Sequence, residues 1–328
     1  MIKFENIVEN REYRERVIKY FRLPIRLSVS YEKFMSDMKF LKETNVNKYN
    51  QVIEFTESDF NKLVREQGTD TPDFSMDNVL EPIIEEFSNS EKWQEFLKKD
   101  YSDTLVNYGG ITNTHSFYVK ENDGKHLLSI DLESANWQSL QSILGFDESY
   151  EEIISKHTDN LIPIISKTFR TKITGKLGAK NIMDYNKYLL FSNKDAILKV
   201  IYKKTGVNLR GREPFAFYAD EFIIELTSDE LEILSRVDAN ELEKEIYNAT
   251  KVRTHFRPFT LYWIGLSKAC AKVHNGNFEI INLSKDDLML FEKVRRGIAP
   301  REVDFEVSKF KGKLSEIRKA VDLVNLLV

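Results

Sequence analysis

The spacing of apolar residues divides the chain into stretches of different character. From Glu9 to about Lys42 they recur at helical intervals, interrupted by Leu23-Pro24-Ile25-Arg26-Leu27-Ser28-Val29-Ser30. There a proline and an alternating pattern predict a short extended piece, with Ser30 placed to cap the helix that follows. Two further helices are predicted between Ser58 and Lys99, separated by the polar break Thr69-Asp70-Thr71-Pro72-Asp73, with Ser88 or Ser90 opening the helix through Trp93 and Phe96. Residues 1–110 thus read as a mainly helical N-terminal part.

The pattern changes at Tyr108-Gly109-Gly110. Ser116 to Lys120, a turn at Asn122-Asp123-Gly124 and the run His126-Leu127-Leu128-Ser129-Ile130-Asp131 predict a hairpin whose second strand ends in a carboxylate. Helical spacing returns from Ala135 to Leu144, around Tyr150 to His157, and from Leu161 to Lys180, where Gly175 and Gly178 mark an end. Phe215 to Leu226 is β-prone on both sides of Asp220-Glu221 and predicts a hairpin with the acids at its turn. Ser228 is placed to cap an amphipathic helix, His255 to Ile264 reads as a strand, and Asn275-Gly276 is a two-residue hairpin turn within Lys272 to Asn282. No internal repeat or low-complexity tract is present. The predicted class is α+β: an antiparallel sheet covered by helices (residues 111–266, with inserted helices at about 148–212), the helical N-terminal part, and a small C-terminal extension of hairpin and helices (267–328).

An apolar content of 41% suffices for a packed core. No apolar run approaches the roughly 18–20 residues that span a bilayer, and no segment reads as a signal peptide, so a cytoplasmic protein without a membrane partner is expected. A net charge of −4 and a pI near 5.9 exclude coating of nucleic acid by overall charge, so such binding requires a local basic face. Cys270 is the single cysteine, which excludes an intrachain disulfide and a cysteine-based zinc cage. Its neighbours Leu266, Ala269, Ala271 and Val273 point to a buried thiol.

Two acidic clusters end or interrupt β runs: Asp131 with Glu133, and Asp220 with Glu221. Carboxylates at strand ends also serve turns and solubility. If they converge, two aspartates on adjacent strands can hold hard divalent cations, Mg²⁺ or Mn²⁺, whose shells are completed by water and substrate phosphates. Between the clusters, residues 160–183 carry Lys167, Arg170, Lys172, Lys176 and Lys180 without an acid, a set suited to triphosphate binding. Lys199, Lys203, Lys204, Arg210 and Arg212 form a second acid-free run, suited to a phosphate backbone or to a solvated helix face. Arg253, His255 and Arg257 lie near the last strand of this region.

In their order these residues resemble the palm of family A DNA polymerases. Ile130-Asp131-Leu132-Glu133-Ser134-Ala135-Asn136 is similar to the first motif, an aspartate at a strand end running into a helix. Arg170 followed by Gly175 and Gly178 is similar to the fingers motif, and Tyr218-Ala219-Asp220-Glu221-Phe222-Ile223-Ile224-Glu225 to the third, with Ala219 in place of the family's histidine. The resemblance covers about residues 127–226. It implies catalytic Asp131, Asp220 and Glu221, Mg²⁺ or Mn²⁺ on Asp131 and Asp220, and nucleotide binding by Lys167, Arg170, Lys172 and Asn136. Beside it, the second acid-free run predicts contact of Lys199, Lys203, Lys204, Arg210 and Arg212 with nucleic acid. The fingers are short, Asn136 replaces the family's sugar-selecting glutamate, Thr174 stands near its usual aromatic, and no exonuclease part precedes the palm.

The expected function is template-directed nucleotidyl transfer on a primer–template with nucleoside triphosphates, in a minimal polymerase of phage or mobile-element type that works with a replication partner protein. The rival is a catalytically inactive palm-like module that binds nucleic acid or a replication partner. A nuclease using the same acids is a third reading.

Overall fold

The structure, a computed structural model, describes residues 2–21, 23, 25–69, 72, 77–102, 117–159, 164, 167–218, 220–265, 269–281, 309–311 and 314–325. Asn10, Ser30, Asn45 and Ser90 each start an N-terminal helix by accepting a hydrogen bond from a backbone N–H of its first turn. Helices α1 (Phe4–Glu9) and α2 (Arg11–Tyr20) are followed by α3 (Tyr31–Thr44), which Ser30 caps as its position predicts, its side chain accepting from Lys33 N at 3.3 Å. Asn45 caps α4 (Val46–Gln67), which therefore begins well before Ser58. Next come α5 (Asp77–Asn89) and α6 (Glu91–Leu97), the latter capped by Ser90. Their apolar faces form one core around Phe4, Tyr13, Phe34 and Trp93, where the Tyr13 hydroxyl donates to buried Asp59 at 2.8 Å.

The second layer is an antiparallel sheet in the order β2-β3-β1-β4-β5-β6-β7. Strand β1 (His126–Leu132) is followed by α7 (Ala135–Leu144), α8 (Tyr150–Ser155) and the long α9 (Lys167–Thr205). Then come β2 (Ala216–Tyr218), β3 (Glu221–Leu226), α10 (Ser228–Ser235), α11 (Ala239–Thr250) and β4 (Thr254–Trp263). Strands β5 (Cys270–His274), β6 (Asn277–Ile281) and β7 (Lys309–Lys311) and helix α12 (Leu314–Asn325) complete the described elements. Alternation sorts the sheet into two faces. Leu128, Ile130 and Leu132 of β1 pack with Ile197, Leu198 and Ile201 of α9 and with Leu242 and Ile246 of α11. The opposite face carries Leu127, Ser129 and Asp131, and Phe117 and Tyr118 cover part of it together with Phe259, Leu261 and Cys270. No described helix is long and apolar enough to cross a membrane.

The α+β class is the one predicted, but four details differ. The strand expected from Ser116 does not form in its described part. Both edges of β1 are taken by β3 and β4, and residues 120–122 make a single 3₁₀ turn. The helix expected to stop at Gly175 and Gly178 runs on to Thr205, with a kink at Gly178 (φ 128°, ψ 75°) that only a residue without Cβ adopts easily. Thr227, not Ser228, caps α10 through a reciprocal box with Glu230. The hairpin β5–β6 extends the same sheet, so a boundary at 266/267 would cut through it. Tyr108-Gly109-Gly110, most of the polar break at 69–73, the start of the helix expected from Leu161, and residues 282–308 lie outside the described residues.

Candidate active site

Strand register brings the acids together. Asp131 on β1 stands opposite Glu221 on β3 and His255 on β4. The turn between β2 and β3, which contains Asp220, is fastened to the end of β1 because Leu132 N–H donates to the Asp220 carbonyl at 2.7 Å. Burial, reinforced by the negative charges of Asp220 and Glu221, pushes the Asp131 carboxyl up to about 7, against the opposing pull of Arg257 and Lys272. The structure thus unites the three residues that the sequence singled out.

Glu221 is held on two sides. Ser129 Oγ donates to its Oε1 at 2.5 Å, and Lys272 Nζ lies 3.7 Å from the same oxygen. Lys272 comes from β5, two strands beyond β1, and only 13% of its side chain is exposed. It passes 4.9 Å over the Phe259 ring and 5.6 Å over that of Tyr118. Although burial opposes its charge, Glu221 and Tyr118 hold Lys272 above the usual lysine range. Burial pushes the Tyr118 hydroxyl up to about 12. Arg257, opposite Ser129 and on the same face, is exposed and has no ion-pair partner among the described residues.

Hard oxygen donors with uncompensated charge suit Mg²⁺ or Mn²⁺. Asp131 has no ion pair or side-chain hydrogen bond among the described residues, and the repulsion it feels is the kind a divalent cation relieves. Among the described residues no three His, Cys, Asp or Glu side chains are set as a ready cage, so a cation on these acids draws the rest of its shell from water or substrate.

The cations expected beside the acids are placed elsewhere. Phe169, Ile173 and Leu177, one stripe of α9, are buried in the N-terminal core, and the basic residues at the rim of that stripe turn to the same side. Arg170 lies 3.9 Å from Glu151 and over the Tyr150 ring, while Lys172 is 2.6 Å from Asp77. Lys176 reaches Asp77 and Glu81. Lys167 opens α9, and its side chain lies outside the described residues. Asn136 hydrogen-bonds Asn186 on α9 at 2.8 Å. Arg170 and Lys172, expected to bind nucleotide phosphates, are thus paired with Glu151 and Asp77.

Lys199, Lys203 and Lys204 of the second basic run belong to the helical layer behind the sheet, because Leu198 and Ile201 pack on the face opposite Asp131, and Arg210 and Arg212 follow in the loop after it. Lys204 pairs with Glu241 and Glu245 at 2.8 and 2.9 Å, and Arg212 forms a two-pronged pair with Glu230. The Arg210 guanidinium stacks 4.6 Å over Tyr202, and Lys199 and Lys203 are exposed. Of these five residues, expected to contact nucleic acid, Lys204 and Arg212 are thus engaged by carboxylates, while Lys199 and Lys203 remain exposed. Near β4, Arg253 is tied to Gln141 and Gln138 of α7, and His255 Nδ1 lies 3.8 Å from Glu243.

Sequence reasoning missed Ser129 and Lys272. The available signal was a lysine at an alternating position of an otherwise apolar run, Ala269 to Val273. Compared with protein family models, curated proteins and solved structures, the chain matches none.

Proposed function

We propose that this chain is a minimal template-directed nucleotidyltransferase, a DNA or RNA polymerase acting on a primer–template, with Asp131 and Asp220 as the residues that hold Mg²⁺ or Mn²⁺. The observation that carries this reading is the convergence of Asp131, Asp220 and Glu221 at adjacent strand ends, where the charges of Asp220 and Glu221 both act on Asp131. The succession strand, helix, long helix, acidic hairpin also follows the order of the motifs that resemble a family A palm. Bound there, the cation supplies Lewis acidity at a reacting phosphate.

The chain's own residues do the rest. Asp131 and Asp220 present carboxylate oxygens, and their loading competes with protonation of Asp131, so it improves as pH rises through about 7. Glu221 assists as a fixed negative charge oriented by Ser129. Arg257 offers its planar fork to a phosphate on the same face, in place of the α9 cations that pair with Glu151 and Asp77. Those engaged cations favour the second reading, a palm-like module that binds nucleic acid or a replication partner without catalysis.

Extension of a labelled primer with each of the four dNTPs or NTPs, with and without Mg²⁺, separates these readings. Longer products that vanish in Asp131→Ala and Asp220→Ala variants are expected, because an interaction made in the transition state is lost. Shortened strands point to a nuclease. Binding without any change of length points to the inactive module.

A further inference from the structure

Lys272 enters the acidic face from outside the region that resembles a palm and, unlike the exposed Arg257, is buried there. It crosses β4 over Phe259 and beside the Tyr118 ring to meet Glu221, whose carboxylate reaches over β1 to Ser129. A lysine loses considerable side-chain freedom and hydration in such a position, so the arrangement needs a compensating charge. Its Nζ lies 3.7 Å from Glu221 Oε1, the oxygen that also accepts from Ser129. Glu279, directly across β6, contributes a second negative charge. Asp131, in contrast, has no such anchor among the described residues.

We propose that Lys272 is a positioning residue: laid across the sheet, it pins the Glu221 carboxylate against Ser129 and keeps it out of the cation set formed by Asp131 and Asp220. This rests on the cation-binding reading above. It assigns two neighbouring acidic residues different jobs. Asp220, carried by the turn, is a ligand, while Glu221 on the strand is a fixed charge outside the ligand set. With Lys272 removed, Glu221 is released to compete for the same cation, and the number of charged ligands, which sets affinity, rises by one.

The test is a double-mutant cycle of Lys272→Met and Glu221→Gln in the full chain, read twice. Metal-free thermal unfolding reads the strut. Each single variant melts a few degrees lower, the double variant loses less than the sum, and Lys272→Arg, which keeps the charge, stays near the unsubstituted protein. Mn²⁺ titration by calorimetry reads the exclusion. Glu221→Gln leaves the affinity within about twofold, while Lys272→Met raises it about tenfold only when Glu221 is present.

Additive melting losses overturn the strut. A loss of Mn²⁺ affinity in Glu221→Gln as large as that in Asp220→Asn overturns the exclusion, and this comparison does not depend on Lys272→Met folding. If the unsubstituted protein takes up no Mn²⁺ while the melting cycle is coupled, the cation reading fails and the strut stands.

Discussion

At the scale of single residues, Asp131 makes its own environment measurable. Its carboxyl sits at about 7 in the fold against an ordinary value of 3.8. Between those values the folded chain binds more protons than the unfolded chain, so stability falls as pH rises, and the loss is complete above the folded value. Metal-free denaturation in urea should therefore show the protein weakening between about pH 4 and pH 7 relative to an Asp131→Asn variant, with Mg²⁺ restoring part of the loss at the higher pH. Parallel curves for the two proteins contradict this environment. The acids were legible in the sequence because each ends or interrupts a β run. Lys272 was not, since its meaning depends on the sheet order β3-β1-β4-β5, which no local pattern encodes. For Arg170 and Lys172 the charge could be read but not the carboxylates that engage it, and Asp77 lies far upstream in the chain.

At the scale of elements, the strands and hairpins that carry the site were the readable part. Asn275 and Gly276 adopt φ values of 48° and 73°, as a two-residue turn between twisted strands requires. The β2–β3 hairpin holds its acids at the expected turn. The long helix was misread at its glycines, because Gly178 breaks the dihedral pattern but Leu177 and Ile182 on either side stay buried in one core. This yields a paired test. An added Cβ meets nothing within 4 Å at either glycine, so backbone alone decides the outcome. Gly175→Ala, in regular helix, should stabilise by about 0.5–1 kcal/mol, whereas Gly178→Ala, at φ 128°, should destabilise by about 1–2 kcal/mol in urea unfolding. Equal effects of the two substitutions would remove the kink from the account.

At the scale of the molecule, one sheet separates two environments. Acids, Arg257 and the Lys272 strut share one face, while the other is sealed by α9, α10 and α11 with the basic residues Lys199 and Lys203 turned outward. Chain-wide patterning predicted the helical N-terminal part and the antiparallel sheet but not where the two basic runs would lie, because that depends on how the kinked helix is shared between two cores. With a net charge of −4, the proposed binding of nucleic acid requires a local grip. Arg257→Ala should weaken primer–template binding and lower its salt slope by about one, while Lys199→Ala with Lys203→Ala should leave both unchanged. The reverse ranking would put the nucleic acid behind the sheet. The central claim, that Asp131 and Asp220 jointly hold a divalent cation, is tested most directly by an anomalous difference map from crystals soaked in Mn²⁺. A peak shared by these two carboxylates, absent in Asp220→Asn, is the predicted result, and an empty map at Asp131 with Mn²⁺ bound elsewhere would contradict it.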